Sequence, residues 1–140
     1  MDRAALETFA CVVYRQPWTQ EIEHLVREEL SPWLDAGHGE AAGAFENGVL
    51  VAVASWTPII EEPPTWRSGL IAVRTGSARR GHGLGMKMHV LERARAAGAA
   101  AVTSTLHRDN HAMWRINERL GATFTPTDAL QEYFTAAIWL

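Results

Sequence analysis

The stretch Arg80-Gly81-His82-Gly83-Leu84-Gly85 connects a segment with strand character to a segment with helical periodicity. Glycines at such a junction expose backbone N–H groups and let an anion approach the chain closely. The first turn of the helix adds N–H groups that have no acceptor within the helix, together with a partial positive charge. The turn therefore predicts a phosphate or pyrophosphate site, to which Arg79 or Arg80 would add charge-assisted hydrogen bonds.

A second interpretation of the same turn is open, in which the glycines serve only the geometry of a strand-to-helix connection. Two other phosphate-binding motifs are excluded. A Walker loop needs a Gly-Lys-Ser/Thr sequence, which does not follow here. The third glycine of a dinucleotide fingerprint that starts at Gly81 would fall at Met86, so that motif is also absent.

Upstream of the turn, the pattern predicts two helices followed by three strands. Residues 4–14 and 19–33 carry apolar side chains at helical spacing. Residues 41–46 and 49–56 flank Asn47-Gly48, a dipeptide typical of tight hairpins because both central residues need a positive φ. Residues 66–73 have strand character and lead towards the glycine-rich turn.

Downstream, Leu84, Met88 and Leu91 are expected to line the buried face of a helix, with Lys87 largely outside. Gly98 can close this helix in the left-handed conformation. The pattern then predicts a strand over residues 101–106, a helix over residues 111–120 and a strand over residues 134–140. Asn110 or Asp109 caps this helix, and Gly121 ends it. The predicted fold class is α/β with an α+β-like order: a mixed, mostly antiparallel twisted sheet with helices on both faces.

Composition narrows the class of protein. The 140 residues suit a single domain spanning 1–140, and 47% apolar with 21% charged residues is ordinary for a globular protein. A net charge of −3 gives no electrostatic case for a nucleic-acid partner. Cys11 is the only cysteine, which excludes an intrachain disulfide and cysteine-based zinc sites. With no signal peptide pattern and no apolar run of about 20 residues, we expect a cytoplasmic protein without membrane partners.

These motifs together resemble the GNAT N-acetyltransferases. In that family a valine-bearing strand, here residues 70–73, precedes an Arg/Gln-x-x-Gly-x-Gly/Ala turn, here residues 80–85. A helix, a strand, an asparagine and a helix that ends in Leu-Gly follow, and the last two features match Asn110 and Leu120-Gly121. The resemblance runs from about Val49 to Phe124. The link between Val73 and Arg80 is longer than is usual in the family and lacks its common proline.

The resemblance implies an N-acetyltransferase that moves an acetyl group from acetyl-coenzyme A to a primary amine of an unidentified small-molecule or protein acceptor. The pantetheine arm would pair with the strand and thread a V-shaped gap towards the next strand, and the pyrophosphate would lie over the turn. No metal is implied, and either a monomer or a homodimer is compatible. The implied cofactor-binding residues are Ile71, Ala72, Val73, Arg79, Arg80, Gly81, His82, Gly83, Leu84, Gly85 and Asn110.

The catalytic residues are less well determined than the cofactor site. The family's proton donor to the departing thiolate is often a tyrosine, whose position is Asn117 here, and an amide can orient or solvate but cannot act as an acid. His107 is a candidate base or acid, although it also fits a loop histidine bonded to backbone. His107 and His111 lie four residues apart but form no recognised metal motif. Two rival functions remain: a domain that binds acyl-coenzyme A with little or no catalysis, and a structural domain with a vestigial turn.

Overall fold

The computed structural model describes residues 39–47, 49–59, 62–73 and 81–140. The helices predicted for residues 4–14 and 19–33, and the side chains of Arg79 and Arg80, lie outside the described residues. The described elements, in chain order, are β1 (Glu40–Glu46), β2 (Val49–Ile59), β3 (Thr65–Val73), α1 (His82–Ala96), β4 (Ala101–His107), α2 (His111–Arg119), β5 (Thr123–Pro126) and β6 (Tyr133–Trp139).

The strands form one sheet in the order β1-β2-β3-β4-β6-β5. Every neighbouring pair is antiparallel except β3 and β4, which are parallel and joined through α1. A parallel pair needs a crossover connection, and the helix after the glycine-rich turn supplies it. The expected mixed, mostly antiparallel sheet is confirmed.

The hairpin between β1 and β2 is confirmed as well. Glu46 pairs with Val49, so the connection consists of two residues, and Asn47 has the positive φ of 50° that such a turn requires. A bulge between Ala44 and Phe45 shifts the register along the same pair of strands.

Both described helices cover the same face of the sheet. The Lys87 side chain of α1 contacts Ser104 of β4, and Trp114 of α2 packs against Phe134, the cross-strand partner of Leu106. Ser104 and Leu106 are two residues apart on one strand, so they point to the same face. The helix ends match their sequence signals, since Asn110 caps α2 and Gly98 and Gly121 take positive φ values of 83° and 79°.

The rotation of α1 differs from the sequence expectation. Lys87 was expected outside and is fully buried, whereas Met88 was expected inside and is 45% exposed. Apolar residues occur almost all round this helix, so periodicity alone does not define its inner face. Packing on β2 and β3 decides it instead, and the side chains that α1 buries are Met86, Lys87, Val90, Leu91 and Ala94.

The strand β5 was missed by the sequence analysis. It contains only four residues and ends at Pro126, so its propensity signal is weak. It lies at the edge of the sheet, where a strand with proline is tolerated, and pairs only with β6 among the described strands. Trp114 stacks on Phe124 of this strand with ring centroids 4.1 Å apart, which anchors the edge to α2.

Candidate functional site

A gap opens between the parallel strands β3 and β4. The two strands pair only at their beginnings, from Thr65 with Ala101 to Arg67 with Thr103. No pairing continues between the rest of β3 and the rest of β4, although both strands go on for several residues. The strands therefore diverge towards their carboxyl ends, as the V-shaped gap implied by the family resemblance requires.

A bulge in β3 begins where the strands part. Ser68 pairs with Trp56 on β2 and Ile71 pairs with Ala54, so that two residues of β3 oppose the single residue Ser55. A bulge of this kind bends its strand and re-aims its backbone groups. Gly69 lies inside it, and a Cβ at this position would meet the Ser55 hydroxyl at 2.8 Å. The missing side chain thus lets β2 and β3 approach closely at the bulge.

The end of β3 presents one unpaired backbone edge to the gap. Ile71, Ala72 and Val73 are buried at 1%, 0% and 2% exposure and pair with β2 on their other edge. A strand edge without a partner offers alternating N–H and C=O groups to an extended ligand. The three residues that the sequence assigned to pantetheine binding therefore lie along the gap.

The glycine-rich turn starts α1 at the open end of the gap. Gly81 is the N-cap residue with a φ of 78°, and its carbonyl accepts the Gly85 N–H at 2.9 Å. No side chain caps the helix, and its first turn contains no acidic residue. A Cβ on Gly85 would meet nothing within 4 Å. The start of α1 therefore combines the positive end of the helix dipole, without a side-chain cap among the described residues, with space for an anion.

Gly83 has a different reason to be glycine. A Cβ at this position would lie 3.3 Å from the Cδ1 atom of Ile116, so the first turn of α1 touches α2 there. Leu84 and His82 flank Gly83 and are half-buried. Of the predicted phosphate-binding residues, Gly81 to Gly85 share this one turn, and the two arginines lie outside the described residues.

A cleft of about 300 Å³ opens on the opposite flank of the turn, between β1 and α1. Small side chains of β1 form one wall, and the first two turns of α1 form the other. His89 of this cleft packs edge-on against Trp56 with ring centroids 6.1 Å apart. The lining residues are Ala42, Gly43, Ala44, Gly81, His82, Gly85, Met86 and His89.

Asn110 lies at the carboxyl end of β4 and is 5% exposed. Its Oδ1 atom accepts the Met113 N–H at 3.4 Å, which caps α2. This geometry accounts for asparagine at the position by helix capping. A contact between Asn110 and a cofactor stays a prediction.

His107 ends β4 on the face opposite to the helices, one residue after the inward-pointing Leu106. Its Nδ1 atom accepts the Asp109 backbone N–H at 3.0 Å, and its ring packs edge-on against Tyr133 at 5.0 Å. The backbone bond engages one ring nitrogen and leaves Nε2 for other contacts. A catalytic role for His107 stays a prediction.

Asn117 is fully buried on α2. Its Nδ2 atom donates to the Met113 carbonyl at 2.9 Å, while its Oδ1 atom has no hydrogen-bond partner in the described part of the chain. A buried acceptor without a donor is costly in a folded protein. The side chain is therefore available to accept a hydrogen bond from a ligand, but it supplies no acid.

Lys87 is the functional candidate that the sequence analysis missed. Its side chain is fully buried, and its Nζ atom donates to Ser104 Oγ at 3.4 Å. Burial lowers the pKa of Lys87 from 10.5 to about 8, because desolvation disfavours the charged form. No sequence signal marked it, since a lysine on an amphipathic helix is ordinarily exposed.

The described residues form neither a metal-binding cluster nor a membrane-spanning helix. No group of three or more histidine, cysteine or carboxylate side chains is arranged to hold a metal ion there. Nor does any helix of residues 39–140, as far as they are described, have the length and apolarity to cross a membrane.

Solved structures share the fold over nearly the whole chain. PaiA N-acetyltransferase from Thermoplasma acidophilum, crystallised with coenzyme A, matches with a TM-score of 0.73 and 15% identity over 99% of this chain and 90% of its own. The ribosomal-protein-S18-alanine N-acetyltransferase from Escherichia coli matches with a TM-score of 0.69 and 16% identity, over 99% of this chain and 89% of its own. An aminoglycoside 6'-acetyltransferase type Ii matches with a TM-score of 0.74 and 15% identity, over 98% of this chain and 88% of its own.

A comparison with curated proteins gave no match. The model of the acetyltransferase (GNAT) family, however, matches residues 4–122, which is most of the chain. The sequence resemblance to this family is confirmed, and with it the class of enzyme, an acyltransferase of the N-acetyltransferase type. The chain belongs to the acetyltransferase (GNAT) family.

Proposed function

We propose that this protein transfers the acetyl group of acetyl-coenzyme A to a primary amine of a small-molecule or protein acceptor. One observation carries the proposal: the strands β3 and β4 diverge, and the helix α1 that connects them starts at a glycine without a side-chain cap. A ligand with an extended amide-containing arm and a pyrophosphate at its end suits both halves of this arrangement. The arm would pair with the backbone edge of residues 71–73, and the pyrophosphate would lie over residues 80–85.

The residues at the gap support parts of the chemistry of acetyl transfer. The attacking amine must be neutral, which for a lysine-like amine of pKa about 10.4 costs about 4.6 kcal/mol at neutral pH. The thioester carbonyl needs an N–H donor as charge develops on its oxygen, and the unpaired edge of β3 has backbone N–H groups for this. Glu62, near the start of β3, is exposed and could attract a cationic acceptor.

The acceptor itself is left open by the fold. The similar structures include enzymes named for an aminoglycoside and for an alanine of ribosomal protein S18, at comparable TM-scores. Acceptors that differ this much on one fold imply that recognition depends on local side chains. We therefore propose the amine class and no single acceptor.

Cofactor binding is the first test of the proposal. We expect acetyl-coenzyme A at about a hundred times its dissociation constant to stabilise the folded protein by about 2.7 kcal/mol, a shift of several degrees in Tm. Gly85→Glu places a carboxylate in the turn, at a position where a Cβ meets nothing within 4 Å, and should abolish the shift. Met88→Glu adds the same charge to the exposed face of the same helix and should preserve it. Loss of the shift in both variants, or in neither, would contradict the turn as the site.

Turnover separates the enzyme from the rival domain that only binds acyl-coenzyme A. Asn117 at the position of the family's frequent proton donor is the observation that favours this rival. A panel of aminoglycosides, polyamines, amino acids and peptide amines would be assayed for release of the coenzyme A thiol. Release that depends on one amine class supports the enzyme, whereas tight binding with no release above the amine-independent rate supports the binding domain.

A further inference from the structure

Among the described residues, Lys87 has fewer hydrogen-bond acceptors than an ammonium group has donors. An ammonium carries three N–H donors, yet the only acceptor recorded for Lys87 among the described residues is Ser104 Oγ, at a long 3.4 Å. The ion pairs of the described residues do not include Lys87. Charged groups are rarely buried in proteins unless they are paired, so this side chain is a candidate for pairing with a ligand.

The position of Lys87 relative to the gap can be worked out from the strand register. Ser104 directly follows Thr103, the last residue of β4 that pairs with β3. The contact between Lys87 and Ser104 therefore lies at the closed end of the gap. The start of α1 lies at the open end, and Lys87 is about 6 Å further along the helix axis than Gly83 at the helical rise of about 1.5 Å per residue. A ligand held by its pyrophosphate at the helix start points its arm towards Lys87.

The helix α2 closes the same region from another side. Gly83 and Lys87 are one turn apart on α1 and share a face, and Gly83 touches Ile116 of α2. Asn117, the next residue, is fully buried, and its Oδ1 atom has no hydrogen-bond partner among the described residues. A cation with one long hydrogen bond and an acceptor without a partner among the described residues thus lie on the two helices that meet at Gly83 and Ile116.

We propose that Lys87 donates a proton to the sulfur of coenzyme A when the thioester bond breaks, an inference that rests on the proposed function. The acceptor amine attacks the thioester carbonyl carbon, a C–N bond forms, and the C–S bond breaks with its electron pair on sulfur. The Lys87 ammonium gives its proton to that sulfur, which yields the coenzyme A thiol and a neutral lysine. The proton that the acceptor nitrogen releases returns to Lys87 through water, so the balance is one amide and one thiol.

The chemistry of a buried lysine suits this role. The pKa of Lys87, lowered to about 8, lies below the value of about 8.5 of a cysteine thiol, and an alkyl thiol such as that of coenzyme A is a weaker acid still, so proton transfer from the ammonium to the thiolate is favourable. The buried polar side chains that β2, β3, β4 and α2 contribute to the described core do not titrate near neutral pH, and His82 and His89 of α1 lie on the opposite flank, at the cleft towards β1. Those buried polar side chains are Ser55, Ser68, Ser104, Asn110 and Asn117.

The test measures the ionisation of bound coenzyme A and needs no acceptor. The thiolate absorbance of bound coenzyme A would be titrated against pH, with the complex of desulfo-coenzyme A subtracted to remove the protein's own Cys11. A lysine beside the sulfur should lower the thiol pKa by about one unit, which is about tenfold more thiolate at neutral pH. Lys87→Met should lose this effect. Arg95→Met removes a charge from the exposed surface of the same helix and should retain it.

Affinity gives a second readout. Wild-type protein should bind coenzyme A about tenfold more tightly than desulfo-coenzyme A at a pH near 8, and Lys87→Met should bind the two equally. Equal weakening of both ligands by Lys87→Met would assign Lys87 a structural role and overturn the inference. An acetyl group found on Lys87 by mass spectrometry after incubation with acetyl-coenzyme A would also overturn it, because the lysine would then be a nucleophile. Failure of the wild type to bind either ligand would refute the proposed function itself.

Discussion

The burial of Lys87 has a consequence for stability that can be measured without any ligand. Its pKa falls from 10.5 to about 8 in the folded protein. At about 1.36 kcal/mol per pKa unit, this difference means that holding the charged form inside the fold costs about 3 kcal/mol. The side chain is fully buried, so solvent screening does not reduce this cost appreciably. We therefore expect Lys87→Met to stabilise the protein at neutral pH.

The sign of the pH dependence follows from proton binding. Between pH of about 8 and 10.5 the unfolded chain keeps the proton on Lys87 while the folded protein has released it. Stability rises with pH wherever the unfolded state binds more protons, so the free energy of unfolding should increase through this window. From pH 7 to pH 9.5 the contribution of Lys87 amounts to about 2 kcal/mol. Below pH of about 8 the full cost is present.

Urea unfolding of the wild type and of Lys87→Met at pH 7 and pH 9.5 would test this reasoning. The variant loses one hydrogen bond to Ser104, worth about 1 kcal/mol, so its gain at pH 7 should be about 2 kcal/mol. That advantage should shrink to near zero at pH 9.5. Other titrating groups are common to both proteins and cancel in the difference. Parallel stability curves over this pH range would show that Lys87 is not buried as a charge and would refute the argument.

Substitutions at four further positions test the structure around the site. Gly81→Ala should destabilise the protein by about 1 kcal/mol, because its φ of 78° is unfavourable for a residue with a Cβ, whereas Gly85→Ala in the open first turn should be neutral or stabilising in the same urea assay. Asn110→Ala should lower the free energy of unfolding by about 1 kcal/mol through loss of the α2 cap, and Asn110→Asp should restore it. Trp114→Ala should cost about 3 kcal/mol by removing the ring that stacks on Phe124, and Trp114→Phe should recover part of this loss in thermal unfolding. A neutral Trp114→Ala would contradict the packing of α2 on the sheet edge.

Residues whose backbone conformation is nearly unique were predictable from the sequence. Asn47-Gly48 predicted a tight hairpin, Gly98 predicted a helix end in the left-handed conformation, and Gly121 predicted the end of α2; the structure confirms each. The short edge strand β5 was not predictable, because four residues ending in proline carry too little pattern. In these cases, the strength of the local residue signal determined whether the element could be predicted from the sequence.

The inner face of α1 could not be predicted from local residue types. The helix has apolar residues on most sides, so its rotation is decided by contacts with β2 and β3 that are distant in sequence. That rotation buries Lys87 and exposes Met88, the reverse of what polarity predicts. The gap between β3 and β4 was expected only through the family resemblance, since divergence of two paired strands depends on register rather than on residue type.

The two features of α1 that oppose ordinary folding preferences flank the same gap. Gly81 holds a left-handed conformation at the open end, and Lys87 holds a buried amine at the closed end. A fold selected for stability alone would favour an apolar side chain at position 87, since burying a charge without a partner is costly. Departures from local consistency concentrate where a protein binds or reacts. A thiolate next to Lys87 would offset the free-energy cost of the buried cation. The cation therefore lacks a partner when the site is empty and gains one when the thioester has just been cleaved. Such a site stabilises the leaving group more than the substrate, which is what catalysis requires.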